Sequence, residues 1–275
     1  MAAMAEFQAR YERLEIKYLI DELTAERIRA QIDPYCTPDA HSCESAHDRS
    51  GRAGYPIQSL YLDSPALAFH QAKVRGDPDR IKARVRTYSD TSPATLEVKR
   101  RNSEVIDKTR AVIDRRFVED AANGLSPPCL FPGDSQSRFL GDFAHTVAKW
   151  GAVPTLSVFY EREAYESLVD VYSRITFDRK IRVRRTSDWD LSPGDDDWHS
   201  FDDYWRTDHL TIPVVLELKC ETSTIPAWLT DLIRRNELCQ SSFSKYSIGI
   251  SLTQWRCGGE IARAYSPARA LEVPA

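Results

Sequence analysis

The sequence predicts an α+β protein built on an antiparallel β-sheet that closes into a barrel or tunnel, with a charged interior and helices covering the outside. Three observations support this prediction. Most segments alternate apolar and polar residues with the period of two that is typical of strands. The strands mostly follow one another directly, without the regular β–α–β order of a doubly wound sheet. Their polar faces carry many lysines and arginines.

The strands are predicted wherever this alternation is clear. In the first strand, Leu14, Ile16 and Tyr18 share one face and polar residues occupy the other. In chain order, the predicted strands span residues 13–19, 59–63, 80–88, 95–101, 108–113, 155–162, 173–178 with 180–184 as one long strand or a hairpin, 214–221 and 247–253. The last of these is expected to complete the sheet.

Helices are predicted between the strands from their capping residues and apolar periodicity. Thr24 is expected to cap the first helix, which Pro34 ends. The other predicted helices span residues 65–73, 115–123, 135–150 and 226–238. Gly151 follows the amphipathic helix 135–150, as a C-terminal glycine commonly does.

Length and composition predict one soluble domain over residues 1–275, with inserted loops near 36–54 and 186–209. Of the 275 residues, 42% are hydrophobic and 28% are charged, which is typical of a globular protein. The net charge of −4 argues against a general nucleic-acid-binding protein. Neither a secretory signal nor an apolar run of the ~18 residues needed for a membrane span is evident. We therefore expect a cytoplasmic chain whose six cysteines are reduced.

The polar strand faces are unusually cationic. The residues that alternate with apolar positions include Lys17, Lys82, Arg84, Arg86, Lys99, Lys108, Arg110, Arg162, Arg174, Lys180, Arg182, Arg184 and Lys219. For any single strand, an ordinary solvent-exposed face is the simpler interpretation. Taken together, so many like charges on neighbouring strands would repel one another unless a polyanion lay among them. A barrel of about eight strands has an interior wide enough for one slim ligand such as a linear phosphate chain.

Carboxylates interrupt these cationic faces at Glu15, Glu97 and Glu217. Each is either a ligand for a divalent metal that bridges phosphate oxygens or an ion-pair partner of the neighbouring cations. We favour the metal role for Glu217. For Glu15 and Glu97, both interpretations remain open.

A series of short motifs resembles a known family. The motifs, in order, are Glu15-x-Lys17-Tyr18, Ser59-Leu-Tyr-Leu-Asp63, Arg84-x-Arg86, Leu96-Glu97-Val-Lys99, Lys108-x-Arg110, Tyr160-x-Arg162, Arg174-x-Thr176-x-Asp178, Leu216-Glu217-x-Lys219 and Phe243-Ser244-Lys245-Tyr246. Together, from about Tyr11 to Leu252, they resemble the polyphosphate polymerase domain of the vacuolar transporter chaperone (VTC), a member of the triphosphate tunnel metalloenzyme superfamily.

The resemblance implies an Mn²⁺- or Mg²⁺-dependent enzyme that transfers the γ-phosphate of ATP to a growing inorganic polyphosphate chain. It implies phosphate contacts from Lys17, Arg84, Arg86, Lys99, Lys108, Arg162, Arg174 and Lys245. Tyr160 and Ser244 would add hydrogen bonds, and Glu217 would hold the metal. We expect the neighbouring cations Arg110, Arg182, Arg184 and Lys219 to assist in binding ATP, triphosphate or polyphosphate.

Two positions depart from the pattern of the relatives. Arg13 stands where the superfamily has a glutamate, and Ser242 stands where the polymerases often have a basic residue. Two other functions therefore stay open, a metal-dependent tri- or polyphosphate hydrolase and a non-catalytic polyphosphate-binding module. The eukaryotic polymerases carry an inositol-phosphate-sensing domain and membrane spans, so a membrane-protein partner is a further alternative for a chain that shows neither.

Overall fold

The computed structural model describes residues 13–44, 54–103, 105–125, 135–170, 172–192, 194, 197–202, 214–221 and 225–256. The elements, in chain order, are β1 (Arg13–Ile20), α1 (Glu22–Ile32), β2 (Cys36–Pro38), α2 (Ala40–Glu44), β3 (Tyr55–Asp63), α3 (Ala68–Arg75), β4 (Asp79–Thr87), β5 (Ala94–Asn102), β6 (Val105–Ile113), a 3₁₀ turn (Arg115–Phe117), α4 (Val118–Ala122), α5 (Ser135–Trp150), β7 (Val153–Ser167), β8 (Arg174–Arg185), β9 (His199–Ser200), β10 (Val214–Glu221), α6 (Ala227–Arg235) and α7 (Lys245–Arg256). None of the described helices is long and apolar enough to cross a membrane.

The chain divides into two compact units. The first unit comprises residues 1–54, 162–179 and 211–242, and the second comprises residues 55–161, 180–210 and 243–275. Each unit has its own apolar cluster. The prediction of a single domain stays a prediction.

The apolar cluster of the first unit lies where α1 and α6 cover one face of the strands. Ile28 and Ile32 of α1 are fully buried, as is Phe177 of β8. The helix begins because the Asp21 carboxylate accepts a hydrogen bond from the Thr24 backbone N–H at 2.6 Å. Asp21 is therefore the N-cap, and the expectation that Thr24 caps this helix was wrong.

The apolar cluster of the second unit lies between strands β3 to β6 and helices α3, α4 and α5. Leu96 and Val98 of β5 contribute one side, and Leu140 and Phe143 of α5 contribute the other. The strands are antiparallel, with Lys99 of β5 opposite Lys82 of β4 on one side and Lys108 of β6 on the other. Because alternate residues face the helices, the residues between them form an opposite, polar face.

The sheet is antiparallel, as predicted, but it is not closed. The pairing order is β1-β10-β8-β7-β3-β4-β5-β6, with β2 added to β7 and β9 added to β8. Among the described residues β1 does not pair with β6, so the expectation of a closed barrel was wrong at the level of strand pairing. Alternation in a sequence indicates strands and faces, but it does not determine whether the two end strands meet.

The final predicted strand is a helix. Residues 247–253 alternate in a strand-like manner, yet they form the middle of α7. Ser244 begins the helix, because its carbonyl accepts from the Ile248 N–H at 3.0 Å. A Cβ on Gly249 would lie 2.7 Å from Leu156 Cδ2 and 2.9 Å from Val183 Cγ1, so glycine permits this close approach. Tertiary packing therefore outweighs the local alternation.

The two predicted insertions are more ordered than a loop where they are described. In the segment near 36–54, residues 36–38 form β2 and residues 40–44 form α2, whereas residues 45–53 lie outside the described residues. In the segment near 186–209, residues 199–200 form β9, and residues 203–209 lie outside the described residues. The alternative of one long strand is confirmed for β8.

Candidate functional site: two charged strand faces

The polar face of β4, β5 and β6 in the second unit is dominated by cations, and we call it the cationic face. Its members are Arg80, Lys82, Arg84, Arg86, Thr95, Glu97, Lys99, Arg101, Lys108 and Arg110. The register places Lys82, Lys99 and Lys108 in one row across the three strands. Like charges directly opposite one another destabilise a sheet unless an anion lies near them. The row thus concentrates three positive charges on one face of the second unit, with Lys108 paired to Glu97.

Glu97 is the carboxylate at the centre of the cationic face. Its Oε2 accepts from Arg84 Nε at 2.6 Å, and its Oε1 lies 2.6 Å from Lys108 Nζ. Burial alone would raise the pKa of Glu97, but Arg84, Arg86 and Lys108 lower it well below its usual range. Glu97 therefore stays ionised and is surrounded by positive charge.

The protonation state of Lys108 is determined by opposing effects of burial and neighbouring charges. Burial lowers the pKa of its ammonium to about 8, helped by repulsion from Arg84 and Arg86 and opposed by the attraction of Glu97. The side chain is 44% exposed, so solvent reaches it. Lys108 is consequently a cation near neutral pH and loses its proton in mildly alkaline solution.

Arg86 lies at the buried end of the cationic face and is 9% exposed. Its guanidinium donates to the Ser59 Oγ and to the Tyr160 hydroxyl, both at 3.4 Å. Neither partner is charged, and among the described residues no carboxylate lies within ion-pair distance of Arg86. A buried guanidinium with weak neutral partners is costly unless an anion binds to it. Arg86 is therefore a candidate donor of hydrogen bonds to a phosphate oxygen.

The start of α7 brings further predicted residues to the second unit. Lys245 Nζ lies 4.4 Å from the centre of the Tyr160 ring and 5.9 Å from that of Phe243. Tyr160 also accepts from Arg86. Ser244 accepts from the Ser247 N–H at 3.4 Å, so its hydroxyl caps the helix. The structure therefore brings Tyr160, Lys245 and Arg86 close together.

The first unit has a charged face of a different kind, which we call the paired face. Its members are Glu15, Lys17, Arg162, Arg174, Thr176, Asp178, Glu217 and Lys219. Lys219 Nζ lies 2.6 Å from Glu217 Oε1, and Lys17 Nζ lies 3.5 Å from Glu217 Oε2. Burial would raise the pKa of Glu217, yet Lys219, Lys17 and Arg162 lower it strongly. The carboxylate is therefore anionic at neutral pH.

The remaining cations of the paired face are matched with carboxylates. Arg162 makes a two-bond contact with fully buried Asp178, at 2.7 and 2.8 Å. Arg174 contacts Glu166 and lies 3.8 Å from Asp39. The Thr176 hydroxyl is buried and has no hydrogen-bond partner among the described residues. Opposite charges are thus close to balance on this face.

A divalent metal fits the paired face better than the cationic face. In the described part of the chain, no group of three or more His, Cys, Asp and Glu residues is arranged to hold a metal. However, Mg²⁺ commonly takes only one or two protein carboxylates and completes its shell with water and substrate phosphate oxygens. Glu15 and Glu217 can supply two, since both contact Lys17. Both oxygens of Glu97 contact cations, as those of Glu217 do, but the described members of the cationic face include no second carboxylate beside it.

Arg182 and Arg184 are not brought to the cationic face. Arg182 lies over Phe159, 4.6 Å from its ring centre, and both arginines lie near Trp198. Phe159 is adjacent to Tyr160 in β7 and so faces the opposite side. Lys180 has a left-handed backbone with φ 50°, which is typical of a β-bulge. This left-handed residue interrupts the regular alternation of β8, which the sequence pattern did not reveal.

One residue of the site was not singled out from the sequence. Tyr61 lies opposite Arg84 in the β3–β4 register, and its hydroxyl accepts from Arg84 NH1 at 3.2 Å. Tyr61 could have been found from its position two residues after Ser59. Alternate residues of a strand share a face, and Ser59 lies opposite Arg86. The motif that contains both residues was used for the family resemblance, but no binding role was assigned to either residue.

Comparison with protein families gives a direct assignment. The model of the VTC domain matches residues 12–254. This chain belongs to the VTC domain family. The match confirms the resemblance found in the motifs and covers both charged faces of the VTC domain. No curated protein matches the sequence.

Solved structures with a similar arrangement are distant in sequence. A candidate adenylate cyclase from Vibrio parahaemolyticus is 10% identical, with a TM-score of 0.43, and the match covers 86% of this chain and 96% of that one. A candidate adenylyl cyclase from Hippeastrum, described as having a dominant triphosphatase activity, is 14% identical, with a TM-score of 0.45 and coverage of 87% and 95%. A protein from Pyrococcus horikoshii is 12% identical, with a TM-score of 0.42 and coverage of 88% and 99%.

Proposed function

We propose that this VTC domain is a polyphosphate polymerase that transfers the γ-phosphate of ATP to the end of an inorganic polyphosphate chain. The observation that carries the proposal is the excess of cations over carboxylates on the cationic face, including the row of three lysines. Membership of the VTC domain family supports the same substrate class.

The reaction needs little proton chemistry. A terminal phosphate oxygen of the acceptor attacks the γ-phosphorus of ATP, and the bond from that phosphorus to the β-phosphate oxygen breaks. ADP leaves with the bonding electrons, and the acceptor grows by one phosphate. Because the attacking oxygen is already anionic near neutral pH, no general base is required. The difficulty is to hold two polyanions together in line, which positioning and charge neutralisation achieve.

The residues of the cationic face suit this task. In the proposal, Arg84 and Arg86 grip phosphate oxygens with their planar guanidiniums, while Lys99 and Lys108 add point charges. Lys245 and Ser244 contact the phosphate chain from the start of α7, and Tyr160 adds a hydrogen bond. Arg110 extends the cationic face along β6.

The residues of the paired face suit a metal-dependent role. In the proposal, Glu217, assisted by Glu15, would hold Mg²⁺ or Mn²⁺, and the ion would supply positive charge that stabilises the phosphates. Lys17, Lys219, Arg162 and Arg174 contribute positive charge to the same face. Because each of these cations is already near a carboxylate, a bound phosphate would have to compete with that carboxylate.

The test separates transfer from hydrolysis. Purified protein is incubated with ATP and Mn²⁺, with and without a short polyphosphate primer, and long polymer is resolved on a stained gel while free phosphate is assayed. We expect polymer that is lost with EDTA and with Glu217→Ala. Glu161→Ala is the matched control, because Glu161 pairs only with exposed Lys180 among the described residues.

Each other outcome has a definite meaning. Free phosphate without polymer would replace the polymerase with a triphosphatase. Polyphosphate binding without any turnover would indicate a binding module. Neither binding nor turnover would overturn the proposal altogether.

A further inference from the structure

Tyr61 lies within the second unit at a point where three aromatic and charged side chains converge. It is 7% exposed and is held by two contacts. Its ring stacks on that of Tyr246, with centres 5.0 Å apart and planes 20° from parallel. Its hydroxyl accepts from Arg84 NH1 at 3.2 Å. Both contacts fix the phenol in one orientation beside the cationic face.

Tyr246 is itself anchored to a buried carboxylate. Its hydroxyl donates to Asp63 Oδ2 at 2.6 Å. Asp63 is fully buried and also accepts from the backbone N–H groups of Ser64, Phe69 and His70, at 2.7 to 2.9 Å. The carboxylate therefore links the end of β3, the start of α3 and the first turn of α7. Through the stacked rings, this anchor limits where Tyr61 can move.

The Tyr61 hydroxyl has a hydrogen that is not used within the described residues. A phenol both accepts and donates, and here the oxygen accepts from Arg84 while its own hydrogen has no described acceptor. Burial would raise the pKa of this phenol, but Arg84 and Arg86 lower it. A more acidic phenol is a stronger hydrogen-bond donor to an anion.

We propose that Tyr61 is a phosphate-binding residue, whose hydroxyl donates a hydrogen bond to a phosphoryl oxygen held by Arg84 and Arg86. We further propose that Tyr246, through its bond to Asp63, is the positioning residue for Tyr61. This inference rests on the proposed function, because it assigns a new contact to the same phosphate-binding site.

The first experiment is calorimetric binding of inorganic tripolyphosphate, without ATP, to wild type and Tyr61→Phe. The substitution keeps the ring and its stacking and removes only the hydroxyl. We expect affinity to fall by about tenfold or more, because a hydrogen bond to a charged group is lost. Tyr18→Phe is the matched control, since Tyr18 is also buried but lies in the apolar cluster of the first unit. The affinity of this variant for tripolyphosphate should equal that of the wild type.

The second experiment tests positioning with a double-mutant cycle of Tyr61→Phe and Tyr246→Phe. If Tyr246 acts through Tyr61, Tyr246→Phe weakens tripolyphosphate binding in the presence of Tyr61 and has little further effect in Tyr61→Phe. Thermal unfolding of every variant is recorded, and affinities are compared at a temperature where all are folded. A purely structural role for Tyr246 would lower the unfolding temperature and leave the affinity unchanged.

The outcomes distinguish this inference from the function on which it rests. If wild type does not bind tripolyphosphate, the proposed function fails first. If wild type binds and Tyr61→Phe binds equally well, the proposed function survives and the role of Tyr61 is overturned. If the effects of the two substitutions simply add, the positioning role of Tyr246 is overturned.

Discussion

The two charged faces of this VTC domain have the same kind of strand framework, but they differ in how their positive side chains are paired with carboxylates. Each is the polar side of antiparallel strands whose other side is buried under helices. On the paired face, Glu217 lies between Lys17 and Lys219, and Arg162 is bound to Asp178. On the cationic face, Glu97 lies between Arg84 of β4 and Lys108 of β6 and contacts both.

This difference shows why the number of charges along a single strand does not reveal which cations can bind an anionic ligand. A cation that has a carboxylate partner contributes to the fold, and a ligand must displace that partner. A buried cation with no direct ion pair among the described residues, such as Arg86, costs stability that a bound anion can offset. The cationic face therefore has the electrostatics of a binding surface, whereas the paired face can keep ionised carboxylates ready for a metal.

The largest effect is expected from removing the central carboxylate of the cationic face. Glu97→Gln leaves Arg84 and Lys108 without their counter-charge, and we expect a loss of about 3–5 kcal/mol in the free energy of unfolding. Denaturation by urea measures this loss in the free energy of unfolding. Added tripolyphosphate should restore much of the loss, because its oxygens replace the carboxylate.

The corresponding change on the paired face sharpens the comparison. In Glu217→Gln, Lys17 keeps its contact with Glu15, so we expect a smaller loss of stability than in Glu97→Gln. Equal losses, or no rescue of Glu97→Gln by tripolyphosphate, would contradict the proposed contrast between the faces.

The next effect concerns Arg86. Arg86→Ala should weaken tripolyphosphate binding by about 100-fold, because a buried charge-assisted contact contributes up to about 3 kcal/mol. The free energy of unfolding should change little, since Arg86 makes no direct ion pair among the described residues and the substitution removes the cost of burying its charge. Calorimetry and urea denaturation on the same samples test both statements. A variant that binds normally and is less stable would assign Arg86 to the fold.

A smaller effect is expected from pH. Because the pKa of Lys108 is about 8, its charge is present at pH 7 and is largely lost at pH 9. Tripolyphosphate affinity should therefore fall up to about tenfold over this interval. Lys108→Arg stays charged throughout and also controls for protonation of the ligand. A pH dependence shared by both proteins would show that Lys108 is not its source.

The same pKa has the opposite consequence for stability. The folded state releases the Lys108 proton near pH 8, whereas the unfolded chain releases it near pH ~10.4. Since the unfolded state then binds more protons, this group makes unfolding less favourable as pH rises between these values. Comparing the unfolding of wild type and Lys108→Arg at each pH isolates that contribution.

The smallest effect is expected from Arg182 and Arg184. Both lie near Trp198, on the opposite side of the strands from Tyr160. Arg182→Ala and Arg184→Ala should each change tripolyphosphate affinity by less than about twofold, because both charges lie away from the cationic face and salt screens them. A loss of affinity comparable to that of Arg86→Ala would show that these arginines belong to the binding surface.

Much of the fold could be predicted because its signals are local. Alternation in residues 214–221 and apolar periodicity in residues 135–150 each require only neighbouring residues, and both elements were found with these bounds. Residues 247–253 show where local signals fail. Their alternation predicted a strand, but Gly249 allows a helix to pack against Leu156 and Val183.

The candidate site was predictable to a similar extent. Period two placed Arg84, Arg86 and Glu97 on one face, and the register confirms it. The role of Tyr61 was missed because its contacts come from Arg84 on the neighbouring strand and Tyr246 on a distant helix. The face occupied by Arg182 was missed because it depends on the left-handed backbone of Lys180, and lysine does not predict that conformation.

The sequence by itself determined the family, the antiparallel strands and the cationic character of their polar faces, because motifs and alternation are properties of neighbouring residues. Only the tertiary structure decided which cations have carboxylate partners. Partnership depends on register and burial, and these arise when distant strands pair and exclude water. That is why Glu97 and Glu217, each embedded in nearly the same short motif, have different surroundings.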